Sequence, residues 1–312
     1  MVIGIDMGGT STKIGIVDEQ GRVIKKTSVK TTLYPVFTDY VDALYTALQP
    51  VINEVGGMQA IKGIGAGAPN GNFYTGNIEY AANLPWKGIV PFGKLMSEKF
   101  GLPCMVTNDA NAAALGEMTY GAAKGMKNFI MITLGTGVGG GVVVNGQLVY
   151  GHDGFAGELG HVIMDREHGR PCGCGRKGCL ETYCSATGVA TTAKELLKKD
   201  ATPSLLRNVE WDKITSKDVF DAAMQGDELA KQVFEFTGKT LGEAFADFVA
   251  FSAPEAIILF GGLAQAGDLI LKPIRESMEA NLLSVWKGKV KLIFSQLPDD
   301  DAAILGAASL AV

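Results

Sequence analysis

Short runs of Val and Ile alternate with glycine turns at the start of the chain, and stretches with helical spacing follow. The segments "MVIGID", "TKIGIVDE" and "RVIKKTSV" predict three strands. The segment "TDYVDALYTALQPVINEVG" predicts a helix that begins at a Thr/Asp cap, ends at Gly56 and Gly57, and is kinked or interrupted at Pro50. A strand, a helix, a strand and a helix follow in "IKGIGAGAP", "VPFGKLMSEKF", "PCMVTND" and "ANAAALGEMTYGAA".

The second half repeats this plan. The segment "NFIMITLGTGVGGGVVVNGQLV" predicts strand, glycine turn and strand, and "PEAIILFGG" resembles "IKGIGAGAP". The closing "DAAILGAA" aligns with the earlier "NAAALGEM". Several matches in the same order indicate an internal duplication. Residues 186–250 are mostly helical in pattern without a counterpart in the first half, so we interpret them as an insertion.

A chain of 312 residues is longer than one ordinary domain, since domains usually hold about 100–150 residues. We therefore predict an α/β protein of two lobes around a cleft. The small lobe is residues 1–109 with a C-terminal helix at about 300–312, and the large lobe is 110–299 with the insertion. Ligands bind at the carboxyl ends of strands in open sheets, so the glycine turns are expected to line the cleft.

Composition excludes several classes of partner. The formal charge of −5 argues against nucleic acid and against an anionic membrane surface. No run approaches the ~20 apolar residues of a membrane span. The opening sequence lacks the basic and apolar regions of a leader, and five cysteines are too few and odd in number for a secreted disulfide framework. We expect a cytoplasmic protein.

Glycine is frequent, with 41 residues, and it clusters after apolar runs. In "IDMGGTSTK", Asp6 ends a strand and Gly8, Gly9 and Thr10 form a turn whose N–H groups and hydroxyl could hold a phosphate, with Asp6 near its metal. In "LGTGVGGG", Gly135, Thr136 and Gly137 repeat the arrangement. One such turn alone favours a plain hairpin, but two in duplicated positions favour a phosphate clamp.

Polar side chains follow other strands. Asn108 and Asp109 stand where a strand meets a helix, so Asp109 either caps that helix or acts as the base that accepts a hydroxyl proton in phosphoryl transfer. Glu158, His161 and Glu181 supply carboxylates and an imidazole that suit a ligand rich in hydroxyls. Glu158 alone is equally compatible with a solvated loop.

Three of the five cysteines, Cys172, Cys174 and Cys179, lie in "HVIMDREHGRPCGCGRKGCLE". With His161 they form a Cys3His set that suits a closed, structural zinc site, in which no position is left for a reacting water. Zinc would order the loop that carries His161 and Glu181. His168 and Cys184 remain alternative fourth ligands.

These motifs together resemble the ROK family, and in particular its glucokinase-type sugar kinases. The resemblance runs the length of the chain and rests on "DMGGTSTK", "NDANAAALGE", "LGTGVGGG", "GELGH", "CGCGRKGCLE" and "FGGLAQAG". It implies a duplicated actin/hexokinase-like ATPase fold, and transfer of the ATP γ-phosphate to the 6-hydroxyl of a hexose, glucose foremost. It also implies structural Zn²⁺, Mg²⁺ and a homodimer or higher homo-oligomer.

The resemblance assigns roles residue by residue. Asp109 is the base. The sugar contacts are Asn83, Asn108, Asp109, Glu158, His161 and Glu181. The nucleotide side comprises Asp6, Gly8, Gly9, Thr10, Lys13, Gly135, Thr136, Gly137, Gly261 and Gly262. Zinc is held by His161, Cys172, Cys174 and Cys179.

The sequence departs from the family pattern at two places. The loop between His161 and Cys172 is one residue longer than is common, and Asn70 follows proline where many relatives have glycine.

The alternatives to a glucokinase are a kinase for N-acetylmannosamine, N-acetylglucosamine, fructose or allose, a sugar-free ATPase, and a sugar sensor. A repressor is disfavoured because the first phosphate turn begins too early to leave room for a helix-turn-helix domain.

Overall fold

A computed structural model describes residues 1–199, 201–298 and 301–312. By contacts the chain divides into two compact units. The first comprises residues 1–126, 141–157 and 295–312, and the second comprises 127–140 and 158–294. Residues 110–126 and 141–157, which sequence placed in the large lobe, therefore belong to the first unit. No helix among the described residues is long and apolar enough to cross a membrane.

The first unit is built on a five-stranded sheet. The strands of its segment 1–126 are β1 (Val2–Met7), β2 (Thr12–Val17), β3 (Val23–Val29), β4 (Ile64–Gly67), β5 (Ile78–Glu79), β6 (Ile89–Val90) and β7 (Cys104–Thr107). The sheet order is β3-β2-β1-β4-β7, while β5 and β6 form a separate antiparallel pair. Strands β1, β2 and β3 are antiparallel neighbours, whereas β4 and β7 run parallel to β1.

Helices cover this sheet. They are α1 (Phe37–Glu54), α2 (Phe92–Phe100) and α3 (Asp109–Tyr120). Short 3-10 turns occur at Thr31–Leu33 and Met58–Ala60. The core between sheet and helices is apolar and includes the buried Ile3, Leu44 and Phe92. The prediction that Pro50 interrupts α1 was wrong, because α1 continues through Pro50 to Glu54.

The second sheet has the same order of elements. Its strands are β8 (Phe129–Leu134), β9 (Val138–Val144), β10 (Gln147–Leu148), β11 (Ala256–Phe260) and β12 (Lys291–Phe294), in the order β10-β9-β8-β11-β12. Strands β8, β11 and β12 are parallel, as β1, β4 and β7 are. In both sheets a run of consecutive strands is followed by two parallel strands joined through a helix. The predicted duplication is therefore confirmed.

The predicted helical insertion is also present. The helices of the second unit are α4 (Glu181–Cys184), α5 (Ala186–Lys199), α6 (Ser216–Met224), α7 (Glu228–Ser252) and α8 (Asp268–Asn281). The last helix of the chain, α9 (Ala302–Ala308), belongs to the first unit. Additional 3-10 turns lie at Leu159–His161, Leu205–Asn208, Trp211–Lys213 and Gly262–Ala266.

The two Ala/Gly-rich helices that revealed the repeat, α3 and α9, pack against each other. Gly116 and Gly306 occupy equivalent positions of the repeat, and they meet. A methyl group on Gly116 would lie 2.9 Å from the Cα of Gly306, and one on Gly306 would lie 2.6 Å from the carbonyl oxygen of Ala112. The sequence similarity of the two helices thus reflects a close backbone contact that only glycine permits.

Candidate functional site

The predicted site residues fall into two groups, one in each unit. In the first unit, the register of the sheet aligns Asp6 with Gly67 and Gly67 with Thr107. The carboxyl ends of β1, β4 and β7 therefore lie side by side at one edge of the sheet. Asn108 and Asp109 follow Thr107 directly, so the sheet brings Asp6 and Asp109 to the same edge.

The carboxyl group of Asp109 disfavours the ionisation of Asp6 at this edge. Burial, followed by the nearby charge of Asp109, raises the pKa of Asp6 from 3.8 to about 6, and Lys13 lowers it in part. The Asp109 side chain reaches solvent, yet protein surrounds it closely, and this desolvation raises its pKa. A hydrogen bond from the Ala110 N–H to Asp109 Oδ1, 2.9 Å long, partly offsets the effect.

The cap of α3 is Asn108 and not Asp109. Asn108 Oδ1 accepts the N–H of Asn111 at 2.8 Å, in the geometry of an N-cap. The alternative that Asp109 serves only as that cap was therefore wrong. Asp109 occupies the first helical position, where the positive end of the helix dipole favours a carboxylate.

The first glycine turn joins β1 to β2 as predicted. The Gly8 N–H donates to the Ser11 carbonyl at 3.1 Å, which closes the turn. A methyl group on Gly9 would lie 2.5 Å from the carbonyl oxygen of Asn83, so the chain at Asn83 lies directly against the turn. Thr10 and Lys13 are exposed. The turn, Asn83 and the carboxylates thus share one edge of the first unit.

The second glycine turn, between β8 and β9, lies in the second unit. The Gly135 N–H donates to the Gly137 carbonyl at 3.0 Å, and Thr136 between them is exposed. Gly261 follows the parallel strand β11 with φ of 104°, and a methyl group there would lie 2.5 Å from the Leu134 carbonyl. Gly135 to Gly137 therefore lie beside Gly261 and Gly262, as expected from the sheet order.

Glu181 has a contact that sequence did not reveal. Its Oε2 accepts the N–H of Val138 at 3.0 Å. A methyl group on Gly137 would lie 2.3 Å from that oxygen, so glycine is needed for the carboxylate to approach. Because Glu181 directly follows the cysteine segment, its carboxylate ties that segment to the second glycine turn.

The four predicted metal ligands come together. The ligand atoms of His161, Cys172, Cys174 and Cys179 all lie within 4.8 Å of one another. The Sγ atoms of Cys174 and Cys179 are 3.7 Å apart, and Cys172 Sγ is 3.7 Å from His161 Nδ1. A tetrahedron with Zn–S bonds of about 2.3 Å has S···S edges of about 3.8 Å, so the donor set has the size that zinc requires.

The electrostatics of the thiols also suit a cation. Burial opposes the Cys174 thiolate, but hydrogen bonds from the backbone and side chain of Arg176 and from the other two thiols lower its pKa to about 6. Burial and the neighbouring thiols raise the pKa of Cys172 and Cys179. Ionisation is thus favoured at Cys174 and disfavoured at Cys172 and Cys179.

The alternative ligands lie outside this group. The His168 side chain is 86% exposed and pairs with Glu167 at 3.9 Å. Cys184 is buried, and its Sγ contacts the Thr237 carbonyl at 3.7 Å. The imidazole of His161 directs Nδ1 to the thiols and leaves Nε2 3.9 Å from Glu158 Oε2.

Sequence reasoning overlooked Arg170, which fastens the candidate metal loop, residues 161–179, to α4 and α5. Its guanidinium forms two hydrogen bonds with Glu195, of 3.1 and 2.7 Å, and donates to the Thr182 carbonyl and the Thr192 hydroxyl. It also covers the Tyr183 ring at 4.7 Å. Its partners are 12 to 25 residues away in sequence, so no local motif signals the role.

Asn70 has φ of 52°. Asparagine tolerates this left-handed conformation better than most residues. The Asn70 amide donates to the Glu79 carbonyl at 2.9 Å. Asn70 therefore suits the turn and adds a side-chain bond to it.

Comparison with known proteins agrees with this architecture. The ROK family model matches residues 2–312, and the chain therefore belongs to the ROK family. It is 38% identical to a glucokinase of Halalkalibacterium halodurans, over 97% of this chain and 92% of the relative. It is 37% identical to a glucokinase of Streptomyces coelicolor, over 100% of this chain and 97% of the relative.

Among solved structures, a ROK family glucokinase from Streptomyces griseus in complex with glucose and AMPPNP superposes with a TM-score of 0.80. It is 35% identical, and the match covers 99% of this chain and 98% of that one. The prediction of an actin/hexokinase-like ATPase fold is thereby confirmed.

Proposed function

We propose that this protein is an ATP-dependent sugar kinase that transfers the γ-phosphate to the 6-hydroxyl of a hexose, with glucose as the foremost substrate. The observation that carries the proposal is the position of Asp109. It begins α3 at the carboxyl edge of the first sheet, beside Asp6 and the first glycine turn. The glucokinase relatives and the glucose- and AMPPNP-bound structure support the choice of substrates.

Asp109 is proposed as the general base. Phosphoryl transfer needs a group that orients the attacking hydroxyl and accepts its proton. A carboxylate whose pKa is raised by desolvation is a better proton acceptor than an ordinary one. Asn108 fixes the start of α3 and so fixes the place of this carboxylate.

The nucleotide is proposed to lie against the glycine turns. Gly8, Gly9 and Thr10 present N–H groups and a hydroxyl in the first unit, and Gly135 to Gly137 with Gly261 and Gly262 do so in the second. Asp6 has the oxygen donors that Mg²⁺ prefers. A divalent ion there, when bound, offsets the repulsion between the carboxylates and the charge of the phosphates, so the residues present fit magnesium.

The Cys3His group is proposed as a structural zinc site. Its distances fit four-coordinate zinc, and its four protein ligands leave no position for a substrate. When bound, zinc would cross-link the loop and would take no part in the phosphoryl transfer. The loop then holds His161 Nε2, Glu158 and Glu181 for the hydroxyls of the sugar. In the first unit, Asn83, Asn108 and Asp109 are the proposed sugar contacts.

The remaining expectations accompany this proposal. Other hexoses, or N-acetylmannosamine and N-acetylglucosamine, are the alternative substrates, because specificity depends on which hydroxyls find partners. We further propose a homodimer or higher homo-oligomer, which light scattering on the purified protein tests.

The five free cysteines support a reducing, cytoplasmic location.

The test is ADP release from Mg-ATP across a panel of hexoses and N-acetylhexosamines, with a no-sugar control. Turnover with one sugar far above the rest supports the kinase and names its substrate. ADP release that does not depend on added sugar indicates a plain ATPase, and no ADP release with any sugar favours a sensor.

Asp109→Asn should bind sugar but lose about 10²–10⁴-fold in kcat. Asp42→Asn, a surface change on α1, is the matched control.

A further inference from the structure

Three buried hydroxyl groups form a chain beneath the first glycine turn. They belong to Thr12 at the start of β2, to Thr31 after β3 and to Tyr40 in α1, and each residue is fully buried. The Tyr40 hydroxyl lies 2.6 Å from Thr12 Oγ1, and Thr12 Oγ1 lies 3.0 Å from Thr31 Oγ1. Thr31 Oγ1 then donates to the carbonyl oxygen of Gly8 at 2.8 Å.

The direction of every proton in this chain follows from counting donors. A hydroxyl has one proton to donate. Thr31 gives its proton to the Gly8 carbonyl, which can only accept, so Thr31 must accept from Thr12. Thr12 has then used its own proton and must accept from Tyr40. Burial raises the pKa of Tyr40, so its phenol keeps the proton that the chain requires.

This chain controls the orientation of one peptide group in the turn. The carbonyl of Gly8 and the N–H of Gly9 belong to the same planar peptide, and in a trans peptide they point in opposite directions. All peptide bonds described here are trans. When Thr31 draws the Gly8 carbonyl toward the buried hydroxyls, the Gly9 N–H must point away from them, toward the open side of the turn.

We infer that Tyr40, Thr12 and Thr31 are positioning residues for nucleotide phosphate binding, acting by holding the Gly8–Gly9 peptide with the Gly9 N–H presented to a phosphate oxygen. The inference rests on the proposed function, since it takes the first glycine turn as a phosphate site. Gly8 and Gly9 would otherwise permit the peptide to rotate, because glycine has little backbone preference. A chain of three hydroxyls that polarise one another restrains that freedom.

The principal test is Thr31→Val, which keeps the shape of the side chain and removes its hydroxyl. We expect the KM for Mg-ATP to rise about five- to tenfold, which is the effect of one lost hydrogen bond. Binding of the sugar alone, measured by calorimetry without nucleotide, should stay within twofold. Thr31→Ser restores the hydroxyl and should restore the KM.

A second readout separates phosphate binding from general damage. Thr31→Val should weaken the binding of AMPPNP and leave the binding of adenosine unchanged, because adenosine has no phosphate. Thr237→Val is the matched control, since Thr237 is equally buried but belongs to the second unit. If Thr31→Val does not fold, Tyr40→Phe takes its place with an expected two- to threefold effect, and Tyr45→Phe on the same helix is its control.

The outcomes of the inference and of the proposed function differ. An unchanged KM for Mg-ATP and unchanged AMPPNP binding in Thr31→Val overturn the inference, although the kinase stands. A wild-type protein that binds AMPPNP without phosphorylating any sugar overturns the kinase, and the AMPPNP affinities of the variants then decide the inference. A wild-type protein that binds no nucleotide overturns both. Equal weakening of AMPPNP, adenosine and sugar indicates a merely structural role and also overturns the inference.

Discussion

Replacing Asp6 by Asn should stabilise the folded protein at high pH while abolishing most turnover. Burial and the charge of Asp109 raise the pKa of Asp6 from 3.8 to about 6. One pKa unit corresponds to about 1.4 kcal/mol, so the ionised carboxylate costs the folded state about 3 kcal/mol. Asparagine has nearly the same shape and no charge to desolvate.

The sign of the pH dependence follows from linkage. Between pH 3.8 and about 6 the folded state holds the Asp6 proton more tightly than the unfolded state does, so stability falls as the pH rises through this interval. The cost is about 1 kcal/mol at pH 4.5 and reaches about 3 kcal/mol by pH 8. Asp6→Asn should therefore raise Tm by roughly 5 °C at pH 8 and by no more than about 2 °C at pH 4.5.

Thermal melts of wild type and variant at the two pH values, without magnesium or nucleotide, check this expectation. Asp18→Asn is a suitable control, because Asp18 follows the neighbouring strand but hydrogen bonds from Arg22 lower its pKa. The control should give no stabilisation at pH 8. If Asp6→Asn destabilises the protein, or stabilises it equally at both pH values, the Asp6 carboxylate is not the desolvated, repelled group described above.

Three further perturbations test the packing and the metal loop. Gly306→Ala places a methyl group 2.6 Å from the Ala112 carbonyl and should cost about 1–3 kcal/mol in denaturant unfolding. Arg170→Lys loses the paired bonds to Glu195 and should cost about 2–3 kcal/mol and accelerate zinc loss to a chromogenic chelator. Cys174→Ser should lower the zinc content measured by atomic absorption, and sugar affinity should fall with it.

Matched controls sharpen these three tests. Gly173→Ala adds a methyl group with no atom within 4 Å and should leave stability within about 0.5 kcal/mol. Arg166→Lys changes an exposed arginine of the same loop, and Cys104→Ser changes a cysteine outside the metal group. Full zinc content in Cys174→Ser contradicts the ligand assignment, and equal stability loss in Arg166→Lys contradicts the special role of Arg170.

The repeat and the position of the residues at the carboxyl edge of the sheet were predictable because they depend on local order. Alternating apolar runs and glycine turns determine where strands end, and parallel strands end at a common edge. This placed Asp6, Asp109 and the two glycine turns correctly along the sheets. The spacing of Cys172, Cys174 and Cys179 is equally local, and the structure gathers them with His161.

Features that depend on distant partners were not predictable. Pro50 was expected to kink or interrupt α1, but the packing of Leu48 and Ile52 in the core keeps the helix continuous. The bonds of Arg170 reach up to 25 residues along the chain, and the Tyr40–Thr12 bond spans 28. Serine, threonine and tyrosine are common, so their spacing carries no signal until the fold brings the hydroxyls together.

The duplicated turns are held by different chemistry, and this difference has a consequence. Hydroxyls buried in the core hold the first turn through the Gly8 carbonyl, whereas the Glu181 carboxylate holds the second turn through the Val138 N–H. Glu181 directly follows the metal loop, and the Sγ of Cys172 lies 4.0 Å from its other oxygen. Loss of the metal should therefore loosen the second turn and spare the first. Hydrogen exchange with and without a chelator should show faster exchange at Val138 while the amides of the first turn keep their protection.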